Sequence, residues 1–102
     1  MINKVYGLLG ISSKAGKVIS GTDIILEKME RKKVKLVIIA EDASEKTIKN
    51  MKYYCNIENV ELIIYGNILE NSKAIGKHNR ATIAIIDQNL AIAIKKLIHG
   101  GE

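Results

Sequence analysis

The chain of 102 residues contains no proline, tryptophan or phenylalanine, and it carries one cysteine. The thiol of Cys55 cannot form an internal disulfide, whereas secreted chains of this size more often carry several cysteines. The first residues hold Lys4 and only short apolar runs, so they match neither a signal peptide nor a membrane span. We therefore expect a cytoplasmic protein.

The sequence also lacks recognisable metal-binding and nucleotide-binding motifs. His78 and His99 have no cysteine or carboxylate at metal-ligand spacing. Gly16 and Lys17 resemble the end of a phosphate-binding loop, but Val18 occupies the position of the hydroxyl that would bind magnesium. We therefore expect neither nucleotide hydrolysis nor any other enzymatic activity, and we expect no metal and no cofactor.

The aromatic content excludes one class of RNA-binding protein, and the charge leaves two explanations open. The four tyrosines are the only aromatic residues and form no aromatic-rich strand, which excludes a base-stacking sheet of the RRM type. Lysine and arginine number 16 against 11 acidic residues, for a net charge of +5. This excess reflects either a lysine-biased composition or an affinity for phosphate groups.

Helical and strand patterns alternate along the chain, with no repeat or linker between them. A short β-branched stretch at 17–20 and apolar runs at 36–40, 60–65 and 81–87 predict four strands. Asp42 is predicted to cap the third helix, with Glu45 completing a capping box. The alternation predicts one domain over residues 1–102, an α/β/α sandwich around a central four-stranded mixed, largely parallel sheet.

Two basic segments stand out. The first basic segment (residues 12–23) has no acid before Asp23, and its Gly21 opens the second predicted helix, where free N–H groups suit an anion. The second basic segment (residues 72–81) contains no acid and has Gly76 as a hinge. A plain capped turn and a solvated basic loop, respectively, explain these segments equally well without a ligand.

Three stretches resemble a known family in the same order along nearly the whole chain. They read KAGKVISGTD, KLVIIAEDAS and KAIGKHNRATIAIID, and they resemble the ribosomal protein L7Ae superfamily, which binds kink-turn RNA. The second stretch is the most specific, and the first is most similar to the bacterial YlxQ-type branch. The resemblance implies an α/β/α sandwich and a non-catalytic role in ribosomes or small ribonucleoproteins.

The resemblance also implies roles for individual residues. Gly21 and Thr22 match the family's Gly-Thr-Asn at the start of the second helix, and Ile48 matches an apolar contact in the third. Arg80, with a one-residue shift, matches a basic residue of the second basic segment. Four other positions depart from the family pattern.

The departures change the charge of the expected RNA surface. Asp23 replaces the asparagine that contacts a guanine of the kink-turn, and Glu27 replaces a lysine that faces RNA. Ser44 replaces a glutamate, and Lys77 replaces the apolar tip of the second basic segment.

We therefore predict a monomeric protein that binds structured RNA, ribosomal or kink-turn-like, and has ribosomal or translation-related protein partners. The alternative is an interaction adaptor that has kept the fold and lost kink-turn specificity, which Asp23 and Glu27 favour. The predicted RNA-binding site consists of Lys14, Lys17, Gly21, Thr22, Asp23, Glu27, Ser44, Ile48, Lys73, Lys77 and Arg80.

Overall fold

The computed structural model describes residues 3–100, in which helices and strands alternate as predicted. None of the helices in this range combines the length and the apolarity needed to cross a membrane. The helices are α1 (Lys4–Lys14), α2 (Thr22–Glu30), α3 (Glu45–Glu58), α4 (Ile68–Ala74) and α5 (Gln88–His99). The strands are β1 (Val18–Ser20), β2 (Leu36–Ile39), β3 (Leu62–Ile64) and β4 (Thr82–Ile85).

The four strands form one mixed sheet in the order β1-β4-β2-β3. Strand β3 pairs in parallel with β2, whereas β4 is antiparallel to both of its neighbours, β1 and β2. Three strands therefore run in one direction, as predicted, but two of the three pairings are antiparallel. The reason is that α4 and the second basic segment do not cross the sheet. Strand β4 therefore starts at the edge where β3 ends, and the hydrogen bond from the Arg80 amide to the Ser72 hydroxyl lies in this connection.

Helices cover both faces of the sheet. The side chains of β2 alternate between the faces, so Leu36 and Ile38 pack with α1 and α5 while Val37 and Ile39 pack with α2 and α3. This two-sided burial explains the continuous apolar runs of the sequence. Ile38, Ile63 and Ile85, one from each of the three predicted apolar strands, are buried accordingly.

The third helix begins later than predicted, and its cap is a different residue. The Ser44 hydroxyl accepts a hydrogen bond from the Thr47 amide at 3.1 Å, which makes Ser44 the N-cap of α3. Asp42 instead accepts from the Ile68 amide at 2.8 Å and so stabilises the first turn of α4. The predicted capping box of Asp42 and Glu45 is therefore wrong, because Asp42 lies outside the helix.

A polar network joins α1 to α4 beneath the turn at Gly66. The Tyr6 hydroxyl donates to Asn71 Oδ1 at 2.7 Å, and Asn71 Nδ2 donates to the Tyr65 carbonyl at 2.8 Å. Burial, with smaller effects of Tyr65 and Glu70, raises the pKa of Tyr6 above its usual value. The phenol therefore stays protonated and keeps donating to Asn71, whose side chain is fully buried.

The buried cysteine gives a first testable prediction. Burial raises the pKa of the Cys55 thiol from 9.0 to about 11, which makes the thiolate ~100-fold scarcer at pH 8 than in the unfolded chain. We expect an aromatic disulfide reagent to modify the native protein at least this much more slowly than the protein in denaturant. Equal rates would show that the thiol is accessible.

The same shift affects stability at high pH. The folded chain holds the Cys55 proton more tightly than the unfolded chain, so the contribution to stability is fully present below pH 9. It is lost as the pH rises toward 11.

Candidate nucleic-acid interface

One edge of the sheet brings several chain turns together. Strands β1, β2 and β3 end there and β4 begins there, so we call it the carboxyl edge. Three backbone hydrogen bonds join these turns, from Gly21 to Thr82 (3.2 Å), from Ala40 to Ala81 (3.0 Å) and from Glu41 to Gly66 (2.8 Å). The start of α2 and the end of the second basic segment therefore form one continuous surface.

Gly21 is the N-cap of α2 and has a left-handed φ of 100° with no side-chain cap. Glycine adopts this conformation readily, whereas other residues rarely do. A Cβ at this position would lie 3.8 Å from Arg80 Nη1. This is an ordinary van der Waals distance, so the backbone conformation and not a lack of space calls for glycine, and the distance places the Arg80 guanidinium beside the first turn of α2, whose amides lack a side-chain acceptor at the cap.

Arg80 is half-buried and its side chain is held in place. Its Nη1 donates to the Ser20 hydroxyl at 3.3 Å, and its Nε donates to the His78 carbonyl at 3.1 Å. Its amide donates to the Ser72 hydroxyl at 2.7 Å. Among residues 3–100 no carboxylate lies within ion-pair distance of the guanidinium. The result is a fixed positive charge with free donor capacity.

The second basic segment, which ends beside Arg80, carries two exposed lysines. Lys73 and Lys77 are exposed, and neither forms an ion pair within the described part of the chain. The Lys77 amide donates to the Ser72 carbonyl at 2.9 Å, and Asn79 has a left-handed φ of 54° that turns the chain back toward Arg80. This segment therefore adds positive charge to the same part of the chain as Arg80.

The exposed face of α2 carries the opposite charge. Asp23 and Glu27 lie one turn apart and are both exposed. Glu27 Oε1 lies 3.8 Å from Arg31 Nη2, in a surface pair of the kind that contributes little stability. Asp23 lies in the first turn, where a carboxylate interacts favourably with the helix dipole. The second basic segment and the acidic stripe formed by Asp23 and Glu27 therefore flank Gly21 and Thr22.

The polar side chain at the start of α3 already has partners within the helix. Besides capping α3, the Ser44 hydroxyl donates to Thr47 Oγ1 at 2.9 Å. Ile48 is half-buried and packs against the core between α2 and α3. The two residues lie where α3 leaves the carboxyl edge, so Ile48 can offer part of an apolar surface to a ligand there.

The two lysines of the first basic segment do not join this surface equally. The Lys17 carbonyl accepts from the Ile86 amide, which places Lys17 at the opposite end of β1 from Gly21. Lys14 ends α1, and the adjacent Ser13 hydroxyl donates to the Ile75 carbonyl at 3.2 Å. The end of α1 is therefore beside the second basic segment, whereas Lys17 is apart from the other predicted site residues.

Two residues that hold Arg80 were not predicted from the sequence. Ser20 and Ser72 bind its guanidinium and its amide, respectively. Their hydroxyls are separated from Arg80 by 60 and 8 positions. A serine in a strand or a short helix has no sequence signal that would indicate such a partner.

Comparison with known proteins finds one family and relatives named as RNA-binding proteins. The profile of the ribosomal protein L7Ae/L30e/S12e/Gadd45 family matches residues 3–95. The RNA-binding protein YlxQ of Bacillus subtilis is 32% identical over 93 residues, which cover 91% of this chain and 93% of that protein. The RNA-binding protein YlxQ of Enterococcus faecium is 33% identical over 97 residues, which cover 95% and 93%.

Two solved structures have a similar fold. A protein of unknown function from Bacillus halodurans superposes with a TM-score of 0.92 at 28% identity, covering 96% of this chain and 99% of that one. A 15.5kD RNA binding protein from Giardia lamblia superposes with a TM-score of 0.77, covering 95% of this chain and 83% of that one. At 19% identity the second similarity shows the fold alone.

Proposed function

Because the chain belongs to the ribosomal protein L7Ae/L30e/S12e/Gadd45 family, we propose that it binds structured RNA without catalysing a reaction. The names of the YlxQ relatives support RNA binding. The observation that carries the proposal is the Arg80 guanidinium, which Ser20 and His78 hold beside Gly21 and which has no carboxylate partner in residues 3–100.

The geometry favours contact with an RNA backbone at the carboxyl edge. A guanidinium with free N–H groups can bind a phosphate in a bidentate manner. Gly21 has no side chain that would keep a phosphate away from the first amides of α2. Lys73 and Lys77 would add phosphate contacts that fix orientation without reading sequence.

We propose that the preferred RNA is sharply bent, as in a kink-turn or a comparable ribosomal RNA element. Thr22 and Asp23 begin α2 next to Arg80 and would meet bases, while Ile48 would meet an apolar base surface. In this proposal the protein acts in the cytoplasm as a monomeric single domain, next to ribosomal or other translation-related proteins. Asp23 and Glu27 would lower its affinity relative to family members with neutral or basic residues there.

The acidic stripe supports a second candidate function. Exposed carboxylates at Asp23 and Glu27 repel phosphate and would suit a basic protein surface. The protein would then be an adaptor that uses the fold for protein contact alone. Titration with a kink-turn RNA over a series of salt concentrations separates the two functions, because RNA binding weakens steeply as salt increases.

The sharpest variant for this titration is Lys77→Ala combined with Arg80→Ala. We expect weaker binding and a log–log salt slope reduced by about 2 units, roughly one for each phosphate that the protein no longer neutralises. The matched control is Lys33→Ala with Lys35→Ala. It removes the same charge at the opposite edge of the sheet, where the Lys35 amide bonds to the Ile85 carbonyl, and should change the slope less.

The fold of the double variant must be checked separately. Lys77 is exposed, but Arg80 donates two side-chain hydrogen bonds, so we expect a decrease of about 1 kcal/mol in unfolding free energy. Thermal melting measures it, and binding is compared where both proteins are folded. An unchanged affinity and slope in the folded variant would place the RNA elsewhere on the molecule.

A further inference from the structure

A groove of about 240 Å³ lies on the outer side of α4. It is next to the surface formed by Arg80, Gly21 and the first turn of α2, which we call the Arg80 surface. It is smaller than the roughly 300–1,000 Å³ of pockets that hold drug-sized ligands. We propose that it holds one unpaired nucleotide of an RNA strand that continues past the carboxyl edge, an inference that rests on the proposed function. The groove is lined by Leu69, Ser72, Lys73, Lys77, His78 and Asn79.

One side of the groove is an apolar side chain that the core does not use. Leu69 is 72% exposed, more than any other large hydrophobic residue in the described part of the chain. On the same short helix Asn71 and Ser72 are buried, so α4 packs through its other face. A nucleobase has an apolar face that can cover such a side chain, and this contact is tolerant of base identity.

The charged residues that line the groove are basic and have no acidic partner in the described part of the chain. Lys73, one turn beyond Leu69, is joined by Lys77 and His78, and no acidic residue lines the groove. None of the three has a carboxylate partner in residues 3–100, and the ion pairs found there involve other residues: Arg31–Glu27, Lys32–Glu58, Lys95–Glu61 and His99–Glu61. An apolar side chain beside basic ones fits a nucleotide, whose base is flat and whose phosphate is anionic.

The groove and the Arg80 surface are joined through one residue. The Ser72 carbonyl accepts from the Lys77 amide at 2.9 Å, and its hydroxyl accepts from the Arg80 amide at 2.7 Å. These bonds fix the segment between the two surfaces before any ligand arrives. An RNA strand whose phosphate reaches Arg80 can therefore place its next nucleotide over Leu69, and Asn79 offers an amide to the base edge.

The test compares a kink-turn RNA with the same RNA carrying a short single-stranded uridine extension at either end. We expect one of the extensions to tighten binding by about three- to tenfold, because base contacts in single-strand sites are individually modest. Leu69→Glu and Leu69→Ala should abolish this gain and leave the unextended RNA bound within about twofold for Leu69→Ala. Both variants are expected to fold, since Leu69 is largely exposed.

Two controls separate base binding from charge. Ile57→Glu introduces the same charge on α3, in the opposite helical layer, where Ile57 is 56% exposed, and it should preserve the gain. An abasic extension keeps the phosphates and removes the bases, so it should give little gain. An equal gain from the abasic strand, or an equal reduction of the gain in Ile57→Glu, would overturn the proposed nucleotide site.

The outcomes also distinguish this inference from the proposed function. If the unextended RNA binds and neither extension adds affinity, the groove proposal fails and the proposed function stands. If the kink-turn RNA does not bind at all, the proposed function fails, and hexauridine alone becomes the probe. Hexauridine should then shift the methyl resonances of Leu69 in the wild type, and unchanged resonances would overturn the groove proposal as well.

Discussion

Asp23→Asn combined with Glu27→Lys is expected to raise the affinity for a kink-turn RNA by about 1–3 kcal/mol, roughly five- to 150-fold. Both side chains are exposed on the same face of α2, next to Gly21 and the Arg80 surface. Asparagine can donate a hydrogen bond to a base, whereas a carboxylate only accepts. The two changes also remove negative charge that repels phosphate, so the salt dependence should become steeper.

A single substitution, a charge control at another site and a second RNA serve as controls for the double variant. Asp23→Asn alone loses about 0.3–1 kcal/mol of favourable interaction with the α2 dipole, so it should improve recognition at a small loss of stability. Glu61→Lys adds the same charge as Glu27→Lys at the opposite edge and should have a smaller effect. A matched straight duplex is titrated in parallel. A double variant that gains equally on both RNAs, or a wild type that already binds the kink-turn tightly, would show that positions 23 and 27 do not read RNA as in the family.

Gly66→Ala should lower the free energy of unfolding by about 2–5 kcal/mol, a large part of the 5–15 kcal/mol of an ordinary domain. Gly66 has a left-handed φ of 68°, and its carbonyl accepts a hydrogen bond from the Glu41 amide. A Cβ there would overlap Asn71 Oδ1 and the Tyr6 hydroxyl. The methyl group would therefore break the hydrogen bond between these two side chains. Equilibrium urea unfolding measures the change.

Gly16→Ala is the matched control for this substitution. Gly16 has a φ of 73°, close to that of Gly66, but a Cβ there would meet no atom within 4 Å. It should therefore lose only the backbone contribution of about 1–2 kcal/mol. Tyr6→Phe removes one of the two overlapping atoms, so Gly66→Ala should be less destabilising in that background. Equal destabilisation in the two alanine variants would contradict a steric origin.

The pattern of strands and helices was predictable because it depends on local sequence periodicity. The buried runs around Ile38, Ile63 and Ile85 were confirmed as strands, and the resemblance to the family and its YlxQ branch was confirmed by its relatives. The pairing of β4 was not predictable from periodicity. It depends on where α4 and the second basic segment return the chain to the sheet, a tertiary arrangement in which Ser72 and Arg80 are hydrogen-bonded.

The candidate site shows the same division between local and long-range features. The special backbone of Gly21 could be inferred from its place before a helix, and its φ of 100° agrees. The separation of Lys17 from Gly21 also follows from the predicted strand at 17–20, which places the two residues at its opposite ends, so assigning both to one site conflicted with the predicted strand. The contact of Arg80 with Ser20 and the bond of Asp42 to the Ile68 amide join residues 60 and 26 positions apart. Single polar residues carry no periodic signal that would identify such distant partners.

The position of β4 between β1 and β2 also determines the order in which the chain can assemble during synthesis. Within residues 3–100, β1 pairs only with β4, and the pairing of Val18 with Ile85 joins residues about two-thirds of the chain apart. Closing so long a loop is entropically unfavourable until many contacts form together, and contacts of this kind slow folding. The parallel pair β2–β3, joined by α3, is complete much earlier along the sequence. A nascent chain can therefore form this α3-linked unit first, but its amino-terminal strand must wait for residues 82–85 to emerge from the ribosome before the sheet can close.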